Sequence, residues 1–532
     1  MTATQTMPAE SWRIAKPSAA GRRGVVVAQA REGAEAGIAI LEAGGNAVDA
    51  AVGAAMALAS QEPWNSGLGG YGGFALVHRA GQPRAEVVDF GPLSPRRLDP
   101  SLFALTGRTS PLGFRWAEVA GDANIHGPLS VAVPAAVAGC EAMHRAWGRL
   151  PLAEVMAPAL ELARAGLRAD WWACLKIAGA AADLRRYPES ARLYLRDGLP
   201  PAPPADGEPG RLALGNLAAT LEQLARAGWR DFYEGEIAAA ILRDQARVGG
   251  LIDAEDLRGV RARILPPLEV PWRAGRVLQL APGMTASPTL RRVLATLIDT
   301  PQGRRPDAAW YRLLAREMRA AYAERLQGLG DTPDDGSDTG AGAGATCTTH
   351  LCVCDAEGTM VSMTTTLMAN MGSRLVLPET GLLMNNGVML FDPRPGHANS
   401  IAPGRRLLTN MLPLILRAGD RPILAAGASG GRRIMAATFQ LMTYVADFGM
   451  DPEEAAHHPR IDVSGPDGIA ADPGLGAEVL SALAADGPVS VLRRGIMPGN
   501  YANPSLVLAA EDGRRVAVAD DRSPWSTALA QA

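Results

Sequence analysis

The segment GLGDTPDDGSDTGAGAGAT, Gly328 to Thr346, is made of turn formers with no apolar periodicity, and it divides two stretches of opposite pattern. Before it, roughly Pro134 to Leu326 is rich in Ala, Leu and Arg at helical spacing, as in NLAATLEQLARAGWRDFYEGEIAAAILRDQARVGGLI. After it, HLCVC and MVSMTTTLM alternate as strands around the turn DAEG, and RPILAAGASGG reads as a buried strand running into the helix RRIMAATFQLMTYVADFG. Near the start, REGAEAGIAILEAGGNAVDAAVGAAMALAS reads as a helix broken at Gly44 and Gly45 and restarted after Asn46, a good cap. Helices, a mobile joint and a strand-rich last third predict an α+β fold of stacked layers in one globular unit.

If DAEG (Asp355 to Gly358) closes a hairpin, residues whose numbers sum to about 714 face each other across it, which sets Thr348 opposite Thr366. A threonine beside a flexible loop, cut free at its amino side, can act as a nucleophile. Its own α-amine serves as the base, and a second hydroxyl orients that amine. Read only as residues, these threonines are equally β-branched strand formers. GASGGRRI, Gly427 to Ile434, ends a strand in glycines whose N–H groups could form an oxyanion hole or merely a tight turn into the helix. It lacks the Lys-Ser/Thr of a phosphate loop. GLGGYG, Gly67 to Gly72, fits a dinucleotide fingerprint, but a helix precedes it and the strand FALVH follows, the reverse of the order that fingerprint requires.

Composition narrows the partners. The 532 residues are 47% hydrophobic and 20% charged with a formal net charge of -3, which leaves no electrostatic footprint for nucleic acid or an anionic membrane. No run of eighteen apolar residues and no secretory signal occurs, so a cytoplasmic protein with a small-molecule partner is expected. Five cysteines are odd in number and few for a disulfide framework; Cys352 and Cys354 point to one face of a strand, as buried thiols do. The seven histidines include no H-E-x-x-H, and His457 and His458 cannot share a helix face, so neither metal nor cofactor is expected.

GGNAVDAAV, SGLGGYGGF, VAVPAAVAG, FYEGEIA, GGLIDAEDL, TTH, TGLLMNN and GASGG, in this order over most of the chain, resemble the γ-glutamyltranspeptidase family of N-terminal-nucleophile hydrolases. The resemblance implies a four-layered αββα sandwich and a precursor that cuts itself between Cys347 and Thr348. A large chain, 1–347, helical with part of the central sheets, and a small chain, 348–532, would then stay associated as one unit. It also implies Thr348 as nucleophile, Thr366 as the threonine that contacts its amine, and Gly430 with Gly431 as the oxyanion hole. Several family positions differ. Gly91 stands where the family has a carboxylate-gripping arginine, Gly387 and Leu390 stand where it has a polar side chain and an aspartate for the substrate ammonium, and Met368 replaces an asparagine. Thr409 and Asn410 replace paired serines and keep hydrogen-bonding groups, so they are substrate-binding candidates. Arg374 in MGSRLVLP is the candidate replacement anchor, with a surface arginine as its alternative. The resulting expectation is an autoprocessing threonine amidohydrolase that cleaves the amide of a small carboxylate-bearing substrate through an acyl-enzyme, the acyl group passing to water or an amine. The alternatives are a γ-glutamyltransferase or glutathione hydrolase proper, an oxamate-type amidohydrolase, and a non-catalytic relative that keeps the sandwich as a scaffold.

Overall fold

Alternation along the strands, one side chain up and the next down, gives each sheet two apolar faces, and the fold is what buries all four of them. The computed structural model describes residues 14–111, 116–283, 285–300, 303–328, 346–465, 468–492 and 502–532. The joint expected to be a mobile loop before Thr348 therefore falls, over 329–345, outside the described residues. Among the described residues two seven-stranded antiparallel sheets dominate. The first runs in spatial order Thr527–Ala530, Val25–Ala28, Thr346–Cys354, Met360–Ala369, Gly72–His78, Glu86–Phe90, Arg263–Leu265. The second runs Ala19–Gly21, Arg515–Ala519, Asn503–Ala509, Arg421–Ser429, Leu414–Ala418, Arg276–Leu280, Leu268–Trp272.

Three apolar clusters separate four layers. Val26, Val77, Leu351, Val353 and Met363 of the first sheet pack on helices Arg31–Glu42, Ala47–Gln61 and their outer neighbours. Val27, Phe74, Cys352 and Cys354, on the opposite face, meet Ile415, Ala425 and Val507 of the second sheet. Leu414, Leu424 and Ala426 then face helices Ser287–Leu297, Ala308–Gly328 and Ile434–Ala446. This is the αββα sandwich, with the cysteine pair turned into its middle.

Local sequence explains the inner helix. Asn46 accepts from the N–H groups of Val48 and Asp49 while Asp49 reaches back to the Asn46 N–H, a capping box that restarts the chain after the glycine break. Every residue of AVDAAVGAAMALASQ is buried, as expected of a helix apolar all round and covered on both sides. It delivers the chain through GLGGYG into the strand Gly72–His78. At the entry Gly72 has φ +143, and a Cβ there would lie 2.0 Å from Phe90 O, so only glycine lets the two strands close.

The middle third differs from its helical expectation at RARILPPLEVPWRAGRVLQL. This stretch supplies Arg263–Leu265 to the edge of the first sheet and Leu268–Trp272 and Arg276–Leu280 to the edge of the second. Prolines break helical periodicity there, and the pairing partners, Val87 for Leu265 and Leu416 for Leu278, are remote in the chain.

Candidate active site

The hairpin pairs as its sequence predicts over most of its length, with Thr349 opposite Thr365, His350 opposite Thr364 and Cys354 opposite Met360. At the site the register shifts: Cys347 faces Met368, so a bulge sets the single residue Thr348 against two residues of the partner strand, Thr366 and Leu367. Bulges re-aim a side chain at the rim of a sheet. Here the bulge sets Thr348 Oγ1 3.3 Å from Thr366 Oγ1. The Thr366 hydroxyl in turn donates to the Cys347 carbonyl at 2.5 Å and accepts the Met368 N–H at 2.8 Å. Thr366 thus touches both sides of the Cys347–Thr348 peptide. The backbone beyond it is held in unusual form, with φ of +91 at Met368, +61 at Met371 and +60 at Arg374. Such conformations cost about 1–3 kcal/mol each and persist where surrounding packing imposes them, typically at functional sites.

The histidine of TTH is a structural spacer. Its Nδ1 lies 2.8 Å from Thr364 Oγ1 and its Nε2 3.1 Å from Cys352 Sγ. The ring covers Gly427 of the second sheet so closely that a Cβ there would sit 2.1 Å from His350 Cε1. Burial pushes the imidazole down to about 3, so it is neutral at physiological pH. Because side chains alternate, Thr348 and Thr366 share the inter-sheet face with His350 and Thr364.

That face also receives the glycine turn. The strand Arg421–Ser429 ends at Gly430, φ +133, and Gly431, φ +60, and the 3₁₀ turn Gly431–Arg433 packs against the Thr346–Cys354 strand before the helix Ile434–Ala446 begins. A Cβ on Gly430 would lie 2.6 Å from Ala502 Cα. The glycine turn is therefore brought to the strand that carries Thr348, whose hydroxyl itself meets Thr366.

The substrate-binding candidates are placed differently. Arg374 is buried, its Nη1 donating to Gly372 O at 2.6 Å and its Nε 3.6 Å from Asp183 Oδ2 in the helical layer. Desolvation lowers its guanidinium pKa, with Asp183 acting against that, and the Cys347 thiol is within its electrostatic reach. Thr409 and Asn410 sit together, Arg325 Nη2 donating to Thr409 O at 2.8 Å and to Asn410 Oδ1 at 3.2 Å. The positions expected to hold an ammonium are closed and carry no acidic side chain. A Cβ on Gly387 would be 2.7 Å from Ala132 Cβ, and Leu390 is buried in the inter-sheet core.

Two groups behind the strand that carries Thr348 escape a reading by motif. Glu62, at the end of the inner helix, accepts from Thr349 Oγ1 at 2.6 Å and from Asn65 Nδ2. Lys176 lies over the Trp172 ring at 4.5 Å with its Nζ 4.0 Å from Cys347 Sγ. Burial raises the Cys347 thiol pKa, which keeps it protonated and a poor nucleophile. A lone carboxylate just after the apolar helix, in ASQEPWNSG, was the available signal for Glu62. Nothing local marks Lys176.

Glu62 supports a pH prediction. Burial is the largest cause of its shift, opposed by the bonds from Thr349 and Asn65 and by Lys176, and the carboxyl is pushed up from 4.5 to about 7. A carboxyl raised in the folded state favours the fold most below about 4.5 and loses that contribution as pH rises through about 7. Glu62→Gln removes the titration, so the stability difference between pH 5 and pH 8 should narrow by about 2 kcal/mol in denaturant unfolding. An unchanged difference would show that Glu62 does not titrate there.

Among the described residues no group of three or more His, Cys, Asp or Glu side chains is placed to hold a metal ion, and no helix is long and apolar enough to cross a membrane. A sequence profile of the gamma-glutamyltranspeptidase family matches residues 33–339 and 334–529. The Acylase ACY 1 proenzyme of Pseudomonas sp. (strain SE83) is 32% identical over 480 residues, 85% of this chain and 84% of its own. The glutathione hydrolase proenzyme of Escherichia coli (strain K12) is 28% identical over 549 residues, 94% of this chain and 91% of its own. The crystal structure of cephalosporin acylase from Bacillus halodurans matches with a TM-score of 0.83 across 100% of both chains, at 23% identity, a likeness of fold.

Proposed function

The chain belongs to the gamma-glutamyltranspeptidase family, and from that premise we propose that it is an autoprocessing amidohydrolase whose nucleophile is Thr348 and whose substrate is the amide of an acid bearing a carboxylate but no α-amino group. The observation that carries this reading is the hydroxyl pair Thr348–Thr366, 3.3 Å apart, with Thr366 also donating to Cys347 O. In the uncut chain that donation polarises the Cys347 carbonyl. Cleavage there frees the Thr348 amine beside Thr366, and the large and small chains stay interleaved through both sheets. The word proenzyme in the names of the acylase and glutathione hydrolase relatives accords with such maturation.

In turnover, Thr348 Oγ1 attacks the amide carbonyl and its α-amine takes the hydroxyl proton. The Gly430 and Gly431 N–H groups hold the oxyanion, and the amine returns the proton to the leaving nitrogen. Water, activated by the same amine, then releases the acid; an amine in its place gives acyl transfer. The substrate class follows from what surrounds the acyl group. An ammonium set against Leu390 and Gly387 would lose its hydration without gaining an anionic partner, at a cost of several kcal/mol. A glutaryl amide, which is a γ-glutamyl amide without its amino group, avoids that cost. With the same leaving amine, the glutaryl substrate should show kcat/KM at least about tenfold above its γ-glutamyl counterpart. Equal or better turnover of the γ-glutamyl amide would overturn the acylase-type reading in favour of a glutathione hydrolase.

A further inference from the structure

The acyl-amide reading calls for a cation that meets the distal carboxylate. Gly91 has no side chain, and the Arg374 guanidinium is engaged on Gly372 O and Asp183. Sheet register shows where such a cation must lie. Thr366 pairs with Gly72, and Gly73 pairs with Phe90, so Thr348, Thr366, Gly72 and Gly91 form one row across four neighbouring strands. A Cβ on Gly91 would point to Phe74 Cζ at 3.2 Å, and Phe74 belongs to the core between the sheets, the face that carries the Thr348 hydroxyl. The same Cβ would lie 3.3 Å from Arg406 Nη1. Closer still, at 2.9 Å, would be Asp89 Oδ1, so the Asp89–Arg406 ion pair, brought from two parts of the chain, fills the space where a side chain at position 91 would begin.

We propose that Arg406 is the specificity-determining residue of this site, its guanidinium binding the distal carboxylate of a diacid monoamide. The proposal rests on the acyl-amide reading and deepens it by naming the residue that recognises the substrate. Three features support it. The Arg406 segment is pinned beside Gly91, since Arg406 bridges to Leu93 and the Leu407 N–H donates to Pro92 O. The charge balance is favourable: buried Asp89 takes Arg406 Nη1 at 3.2 Å through Oδ1 and half-exposed Arg263 through Oδ2, so one carboxylate faces two guanidinium groups and the cluster keeps a net positive charge. A guanidinium has five donors, and Asp89 fixes its plane without exhausting them. Lastly, Thr409 and Asn410 follow on the same segment, where Arg325 holds Thr409 O and Asn410 Oδ1.

Three strand spacings put Gly91 about 14 Å from Thr348 along the row, and a contact of about 3 Å at each end leaves a span suited to a diacyl chain of about five or six carbons. The test compares glutaryl and pentanoyl amides of one amine, which differ only by the carboxylate, on the matured wild type, Arg406→Met, Arg406→Lys and Arg374→Met. Melting temperature and chain cleavage monitor folding. Wild type should prefer the glutaryl amide. Arg406→Met should raise its KM by about 10- to 100-fold, more than kcat falls, with a loss at least tenfold greater than that for the pentanoyl amide. Arg406→Lys, which keeps the charge, should recover part of the preference. Equal losses for both amides in Arg406→Met would assign Arg406 a structural role on Asp89 and overturn the proposal, as would a selective glutaryl loss in Arg374→Met with the preference intact in Arg406→Met. A wild type that shows no preference, or cleaves neither amide, would instead bring down the substrate reading on which the proposal rests.

Discussion

Thr348→Ala should purify as one uncut 55.6 kDa chain with turnover lower by at least about 10⁴-fold, whereas the wild type should give two bands of about 36 and 19 kDa, the shares of residues 1–347 and 348–532. The size of the effect comes from one atom having two tasks. On the proposed mechanism Thr348 Oγ1 opens the Cys347–Thr348 peptide and afterwards attacks substrate, and alanine removes it while leaving the strand intact. Thr348→Ser keeps the hydroxyl and should retain both cleavage and measurable turnover. N-terminal sequencing of the small chain is the decisive measurement. A start at Cys347 would transfer the role to a thiol that burial holds protonated, and a start anywhere else would sink the assignment.

Gly430→Ala should lower kcat by about 10²- to 10³-fold, the usual consequence of spoiling an oxyanion donor. Two constraints act against the new methyl. The backbone at φ +133 is a conformation L side chains rarely adopt, costing about 1–3 kcal/mol, and the Cβ would stand 2.6 Å from Ala502 Cα and 2.8 Å from Ala502 Cβ. Ala502 leads directly into the strand Asn503–Ala509, whose pairing with Arg421–Ser429 continues to Ser429, so it cannot retreat alone. Relief comes from rotating the Gly430–Gly431 peptide, which turns its N–H away from the carbonyl under attack. Melting temperature should fall as well. A variant with a lowered melting temperature and unchanged kcat would show that the glycine turn only closes the strand end, and the oxyanion assignment would be lost.

Much of this protein was legible because its signals are local. The Asn46 capping box, the alternation that buries Cys352 and Cys354 on one face, the DAEG turn and its register depend on residues close together in the chain, so spacing alone pairs Thr349 with Thr365 and sets Thr348 near Thr366. The bulge at Thr348 was not legible. It inserts no unusual residue, and it arises beside Met368, φ +91, whose neighbours Leu367 and Ala369 donate to Asn65 O and Asn386 Oδ1 from outside the hairpin. The edge strands around Leu265 and Leu278 escaped for a related reason, since their partners lie far off in the chain.

By itself, then, the sequence determined the layered α+β architecture, the hairpin and the hydroxyl pair of the proposed catalytic group, because hydrophobic period and turn chemistry act over a few residues. Only the tertiary structure decided which charges surround that group. Glu62 reaches Thr349, Lys176 reaches Cys347 and Arg406 reaches Asp89 beside Gly91, each across a hundred residues or more. Electrostatic and steric contacts depend on distance in space, and folding sets that distance without any trace in local pattern.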